Sequence, residues 1–167
     1  MLVLVVDGSL GSIVYMVLEP DETDDPEICG FGNFHGADGG SFGLITDIAA
    51  DKWGNIAICE AMCDYDIEDS PADRIKIFRL INGEVVWQRS IEGLGLLDPE
   101  GVCIAEMDNV NSDSDNILII ADAANNRICV SDLQGTLIGT YYQPFLFTTF
   151  SDSPRRLIDM PISGSLG

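Results

Sequence analysis

The stretch Asp122-Ala-Ala-Asn-Asn-Arg-Ile-Cys-Val-Ser-Asp-Leu-Gln-Gly135 has a counterpart in Ala72-Asp-Arg-Ile-Lys-Ile-Phe-Arg-Leu-Ile-Asn-Gly83 and a weaker echo in Leu2 to Gly8. Both full copies place a polar corner with Asp and Arg before an apolar run that ends in a glycine turn. Similarity of this kind describes a unit that cannot bury its apolar faces alone and must stack on its neighbours. Helical periodicity is almost absent, while short Val/Ile-rich runs bounded by Gly, Asn and Asp recur. The predicted class is therefore all-β.

Working outward, the unit reads as four strands. The first copy runs Gly43 to Asp51, turns at Lys52-Trp-Gly-Asn55 and returns as Ile56 to Glu60. After an acidic insertion it continues as Arg74 to Phe78, turns at Asn82-Gly83 and ends with Glu84 to Ser90. Asn-Gly between apolar runs is a hairpin signal, because both central residues of that tight turn need positive φ. The second copy repeats the order as Pro99 to Ala105, Asn116 to Asp122, Arg127 to Ser131 and Thr136 to Tyr141, with a Gln134-Gly135 turn. Leu2 to Val6 and Ser12 to Val17 read as the last two strands of a unit, and Ser153 to Asp159 as an opening strand with Pro154 in the place of Pro99.

Three segments make the chain resemble the NHL-repeat family of β-propellers over most of residues 30–160: Gly32 to Phe42, Ile48-Ala-Ala-Asp-Lys-Trp-Gly-Asn-Ile-Ala-Ile58 and Ala121-Asp-Ala-Ala-Asn-Asn-Arg-Ile128. Glu60 stands where that family usually has Asp, and Asp73-Arg74 replaces Asn-Arg. Pro99-Glu-Gly-Val102 is also similar to related six-bladed YWTD and lactonase-like propellers. The resemblance implies propeller blades of four antiparallel strands, with about three blades' worth in this chain. The expected divisions are a half blade with an acidic linker (1–29), a blade (30–92), a second blade (93–143) and the start of a further one (144–167).

Propeller closure takes at least about four blades, so a ring of three within one chain is too tight. The two ends are complementary in kind and together describe a composite blade. Two chains joined head to tail would close a six-bladed ring, and an interface that did not close would propagate as a filament. A fragment of a longer or split propeller is the competing reading.

With 28 acidic residues against 8 basic ones, the net charge of -20 opposes a phosphate backbone, so nucleic acid is not an expected partner. The apolar start is broken at Asp7 and has no basic residues ahead of it, which is not the pattern of a signal peptide. No run approaches the roughly 20 apolar residues of a membrane helix. Five cysteines are an odd number, and Cys59, Cys103 and Cys129 lie in strand-like runs. They read as reduced buried thiols, with a cytoplasmic or other intracellular location as the expectation.

Residues that differ between units are the better functional candidates, since a central site needs asymmetry. Thr46-Asp47, Glu100-Gly101 and Arg155-Arg156 occupy corresponding places on the opening strands. Asp47 and Glu100 would serve as metal ligands or as acid and base, and Arg155 or Arg156 would bind an anion. The lyases that the resemblance brings in use histidines to hold a metal, and His35 alone cannot supply that set. The lactonase-like calcium ligands are matched only in part, by Glu100 and Asn125. Asn111-x-Asp113-x-Asp115 has the opening spacing of a calcium loop, but Asn116 replaces the glycine of its sharp turn, and a solvated loop is the plainer reading. No cofactor is the expectation, with calcium as the one alternative. Asp122 with Arg127, and Glu60 with Arg74, recur in both units and so read as structural braces. Tyr141, Tyr142, Phe145 and Phe147 form a cluster more apolar than a connection needs, and are candidates for contact with a partner.

Architecture thus outweighs chemistry in this chain. The leading expectation is a non-catalytic interaction or assembly module, whose partner is a second copy or another propeller fragment. The alternatives are a calcium-dependent hydrolase or lyase on a six-bladed ring and a structural filament subunit.

Overall fold

Alternation of apolar residues with a period of two, interrupted by turn residues, builds the chain into strands. The computed structural model describes residues 2–7, 12–17, 27–31, 33–34, 41–61, 73–106 and 115–142. Its strands are β1 (Leu2–Asp7), β2 (Ser12–Val17), β3 (Glu27–Phe31), β4 (Asn33–Phe34), β5 (Ser41–Phe42), β6 (Leu44–Ala50), β7 (Asn55–Ala61), β8 (Arg74–Ile81), β9 (Glu84–Ile91), β10 (Pro99–Ala105), β11 (Ile117–Asp122), β12 (Arg127–Asp132) and β13 (Leu137–Tyr142). No helix occurs among the described residues that is long and apolar enough to cross a membrane.

The all-β expectation holds. Strands β6-β7-β8-β9 form one four-stranded sheet and β10-β11-β12-β13 another. Both are antiparallel meanders. Their registers match in detail. The opening strand of each is bulged at the same place, between Ile45 and Asp47 opposite Glu60 and Cys59, and between Pro99 and Gly101 opposite Asp122 and Ala121. A second shift recurs where the third strand meets the fourth, at Ile77/Phe78 and at Val130/Ser131. Residues therefore correspond one to one: Thr46 with Glu100, Asp47 with Gly101, Arg74 with Arg127.

The N-terminal region departs from the expectation. β1 and β2 pair as predicted, but β3 pairs with the far side of β2, giving the three-stranded order β1-β2-β3. The Asp7↔Ser12 corner of this sheet has the register of the Asp122↔Arg127 corner. Six residues, a four-residue corner and six more residues make each hairpin. The β1-β2 hairpin thus shares its spacing and register with the β11-β12 hairpin, and β3 adds a strand that the sequence reading did not include. Glu27-Ile-Cys-Gly-Phe31 is short and follows an acidic run, which hid its strand character. The brief parallel pair β4-β5 lies between this sheet and the next.

Turn chemistry follows the sequence. Asn82 and Gly83 both have positive φ, 52° and 86°. Asp132 and Asp51 each cap a turn: Asp132 Oδ1 accepts from the N–H groups of Gln134 and Thr136, and Asp51 Oδ1 from those of Trp53 and Asn55. Burial alone would raise the pKa of Asp132, but the hydrogen bonds from Thr136, Gln134 and Gly135 outweigh it and hold the carboxyl below its ordinary value. Gly135 has φ 90°, and a Cβ there would stand 3.0 Å from Ile91 Cγ2, so the turn of one sheet touches the last strand of the other through a glycine.

The two four-stranded sheets pack face to face. Ala57, Cys59, Ile75, Ile77 and Ile91 meet Val102, Leu118, Ile120 and Cys129 in one core. Each isoleucine or leucine fully removed from water there contributes about 1.5–3 kcal/mol. The opposite face of the β6–β9 sheet carries a second cluster, Phe42, Ile45, Ile56, Ile58 and Phe78. That sheet is therefore buried on both sides, which explains the unbroken burial of β7.

Candidate functional site

The seam between the two sheets consumes polar groups as well as apolar ones. Thr46 Oγ1 donates to the Pro99 carbonyl at 2.7 Å, and Asp47 Oδ2 accepts from Val102 N at 3.0 Å. Further along, Asp51 Oδ2 accepts from Asn116 Nδ2 at 2.7 Å, and Asp73 Oδ2 from Asp98 N at 2.6 Å. Lys52 pairs with Glu106, whose carboxyl is held below its usual range by that hydrogen bond. Three aspartates of one sheet thus bind donors of the next. Part of the chain's acidity is structural.

The recurrent acid–arginine pairs have become buried anchors. Asp122 is fully buried and accepts from Leu97 N at 2.7 Å, Asn125 Nδ2 at 2.9 Å and Arg127 Nε at 2.5 Å. Arg127 Nη2 in turn donates to the carbonyls of Leu94 and Gly95, both at 2.9 Å, and its pKa is raised chiefly by the Asp122 hydrogen bond. The motif clamps the connection between the sheets at residues 94–97. In the other sheet Glu60 takes the Asp122 place and receives Arg74 Nε at 2.6 Å, with both side chains wholly buried.

One member of this second cluster has no charged counterpart. Lys76 corresponds to Cys129, is also wholly buried, lies 3.3 Å from Glu60 Oε1 and sits 4.6 Å from the centroid of the Phe42 ring. Glu60 Oε1 accepts no hydrogen bond, so the ammonium is within ion-pair range but poorly aligned. Sequence patterns did not single out Lys76. Its position among alternate isoleucines was the available signal, and its burial depends on a covered second face that β8 does not announce by itself.

The opening-strand candidates are not brought together around a reacting centre. Asp47 is held in the seam, and Glu100, at the place of Thr46, is half-buried with interactions of its own. Arg155 and Arg156 lie outside the described residues. Of the calcium-loop candidates Asn111, Asp113 and Asp115 only Asp115 is described: it is exposed, and the buried Asn116 beside it is turned to Asp51. Asn111 and Asp113 lie outside the described residues. Among those residues no group of three or more His, Cys, Asp or Glu side chains is arranged to hold a metal ion.

The contact candidates Tyr141 and Tyr142 are 63% and 65% exposed at the end of β13, with Leu137 and Ile138 nearby at 51% and 57%. Phe145 and Phe147 lie outside the described residues. The last strand of the first sheet repeats the theme with Val86 and Trp87 exposed. Among the described residues, these two strands thus expose apolar side chains to solvent.

Cys59, Cys103 and Cys129 are free thiols. Burial pushes the Cys59 thiol up to about 12. Its thiolate fraction at pH 8 is then about a thousandfold below that of an ordinary thiol, and the thiolate is the nucleophile. Iodoacetamide at that pH is expected to leave Cys59 unmodified in the native protein and to alkylate it in urea. Rapid native alkylation, read by peptide mass, would contradict the buried position.

Comparison with protein-family models and with curated protein sequences returns no match for this chain.

Proposed function

We propose that the chain is a non-catalytic β-propeller-type module for protein interaction and assembly, completing its stack of blades by association with another chain. One observation carries this reading. The face of the β6–β9 sheet that is covered by its neighbour presents Ala57, Cys59, Ile75, Ile77 and Ile91. By the shared register, the far face of the β10–β13 sheet presents Ile119, Ala121, Ile128, Val130 and Tyr141 in the same places. It is equally apolar; Ala121 and Val130 are buried, Ile119 and Ile128 half-buried, and Tyr141 is 63% exposed where Ile91 is 4%. A face built like a covered one is suited to being covered, as exposed apolar patches commonly are.

Sedimentation velocity from micromolar to millimolar chain concentration tests the proposal. A limiting species of twice the chain mass is expected, as closure of a ring by two copies requires. Growth without limit would favour a filament, and a monomer throughout would overturn the reading. Thermal stabilisation by millimolar calcium that Glu100→Gln abolishes would support a calcium-dependent hydrolase or lyase instead.

A further inference from the structure

The tight turn between β8 and β9 is built from Asn82 and Gly83, the one Asn-Gly pair in the sequence. Both residues are exposed and lie in the left-handed region, with φ 52° and 86°. A Cβ placed on Gly83 would meet nothing within 4 Å, so the turn itself and not a close neighbour calls for glycine there. Ile81 and Glu84, the last pair of the ladder, are exposed as well. A hairpin end with so few buried contacts opens locally at low cost. Other asparagines are held differently. Asn55 and Asn116 each donate Nδ2 to Asp51 Oδ2 at 2.7 Å, and Asn125 donates to Asp122 Oδ2 at 2.9 Å and to the Gly95 carbonyl at 3.0 Å. Asn126 is exposed at φ 50°, but the residue after it is Arg127, whose side chain is bound to Asp122.

We propose that Asn82 is a self-modification site, where the side-chain amide is lost through a cyclic imide formed with Gly83. In the opened turn the Gly83 nitrogen attacks Asn82 Cγ. The new N–Cγ bond closes the imide ring while the Cγ–Nδ2 bond breaks. The Gly83 amide proton passes through solvent to Nδ2, which leaves as ammonia. Glycine favours this step because no side chain obstructs the approach of its nitrogen. Water, the only co-reactant, then opens the ring on either side, and nothing is oxidised or reduced. Cleavage of the bond to Cγ leaves aspartate. Cleavage of the bond to the Asn82 backbone carbonyl carbon leaves isoaspartate, in which the main chain runs through Cγ. Either product adds a negative charge beside Glu84 in a chain of net charge -20. Only isoaspartate lengthens the backbone, and the two-residue turn that pairs Ile81 with Glu84 cannot keep its geometry with an added carbon. That turn sets the register of β9, which carries Ile91 into the core between the sheets.

The test keeps the native full-length chain in mildly alkaline buffer and follows its peptides by mass, with each changed residue located by fragmentation. Asn82 is expected to gain the mass of an amide-to-acid conversion at about tenfold or more the rate of Asn126, since Gly83 lacks the Cβ that Arg127 has. Its product should resolve into two isomers, aspartyl and isoaspartyl. Equal rates at the two asparagines, or an aspartyl product alone, would overturn the proposal. Gly83→Ala should slow the conversion by about tenfold, and because alanine at this φ strains the turn, the comparison is repeated in urea, where the strain is gone. A slowing that disappears in urea would overturn the role given to Gly83. Hydrogen exchange reads the consequence. Isoaspartyl protein, separated from the unmodified chain, should exchange its β9 amides faster than Asn82→Asp protein, which carries the charge but keeps a turn that Asp-Gly also forms. Equal protection of the two would overturn the predicted effect on β9.

Discussion

Replacing Glu60 by alanine is expected to lower stability by about 3–5 kcal/mol, the range for breaking one side of a fully buried ion pair. Glu60, Arg74 and Lys76 are all wholly buried, so the substitution leaves a guanidinium and an ammonium inside the sheet without this carboxylate. With an unfolding slope of about 1–3 kcal/mol per molar urea, the midpoint should fall by more than about 1 M. Glu60→Gln retains the shape but removes the charge, and should recover only a part. Replacing all three by apolar residues of similar volume should restore most of the loss, because the desolvation of the ions disappears along with their attraction. A loss below about 1 kcal/mol for Glu60→Ala would show that Arg74 and Lys76 are held by other acceptors and that the cluster is not a cooperative unit.

Asp122→Ala is expected to cost about 2–4 kcal/mol. The removed carboxylate receives the Leu97 amide, the Asn125 amide and the Arg127 guanidinium, and a charge-assisted hydrogen bond to a buried acceptor is worth roughly 1.5–3 kcal/mol. The effect is set below that of Glu60 because the Arg127 side chain is 14% exposed and gains water when its partner goes. Asp122→Ala should also act locally. Leu97 N loses its only described acceptor, so its amide exchange should accelerate well beyond that of the β11 amides, which keep their ladder partners. Uniform acceleration across the sheet would mean that the motif supports the sheet as a whole and not the connection in front of it.

Both predictions concern motifs that are visible as repeats in the amino-acid sequence. Recurrence in both units marks them as braces of the scaffold, and their burial agrees. The two four-stranded meanders were similarly legible, because each strand has its own Val/Ile alternation and each turn its own Asn, Asp or Gly. β3 was not, since five residues after an acidic run carry too little periodicity to stand out. Asp47 was legible as a residue that differs between units, but its role was not. Whether an aspartate on an opening strand faces a channel or caps Val102 N depends on where the next sheet lies.

The sequence by itself determined the all-β class, the order of strands in the two four-stranded sheets, their turns and the repeated acid–arginine corners, because these depend on interactions between residues near one another along the chain. Only the tertiary structure decided which faces of the sheets are covered. That in turn made Lys76 and Arg74 interior residues, assigned Asp47, Asp51 and Asp73 to the seam, and left Tyr141 exposed in the position where Ile91 is buried. The physical reason is that a strand's alternation separates two faces without saying what lies against either, and burial is a property of the neighbour as much as of the strand.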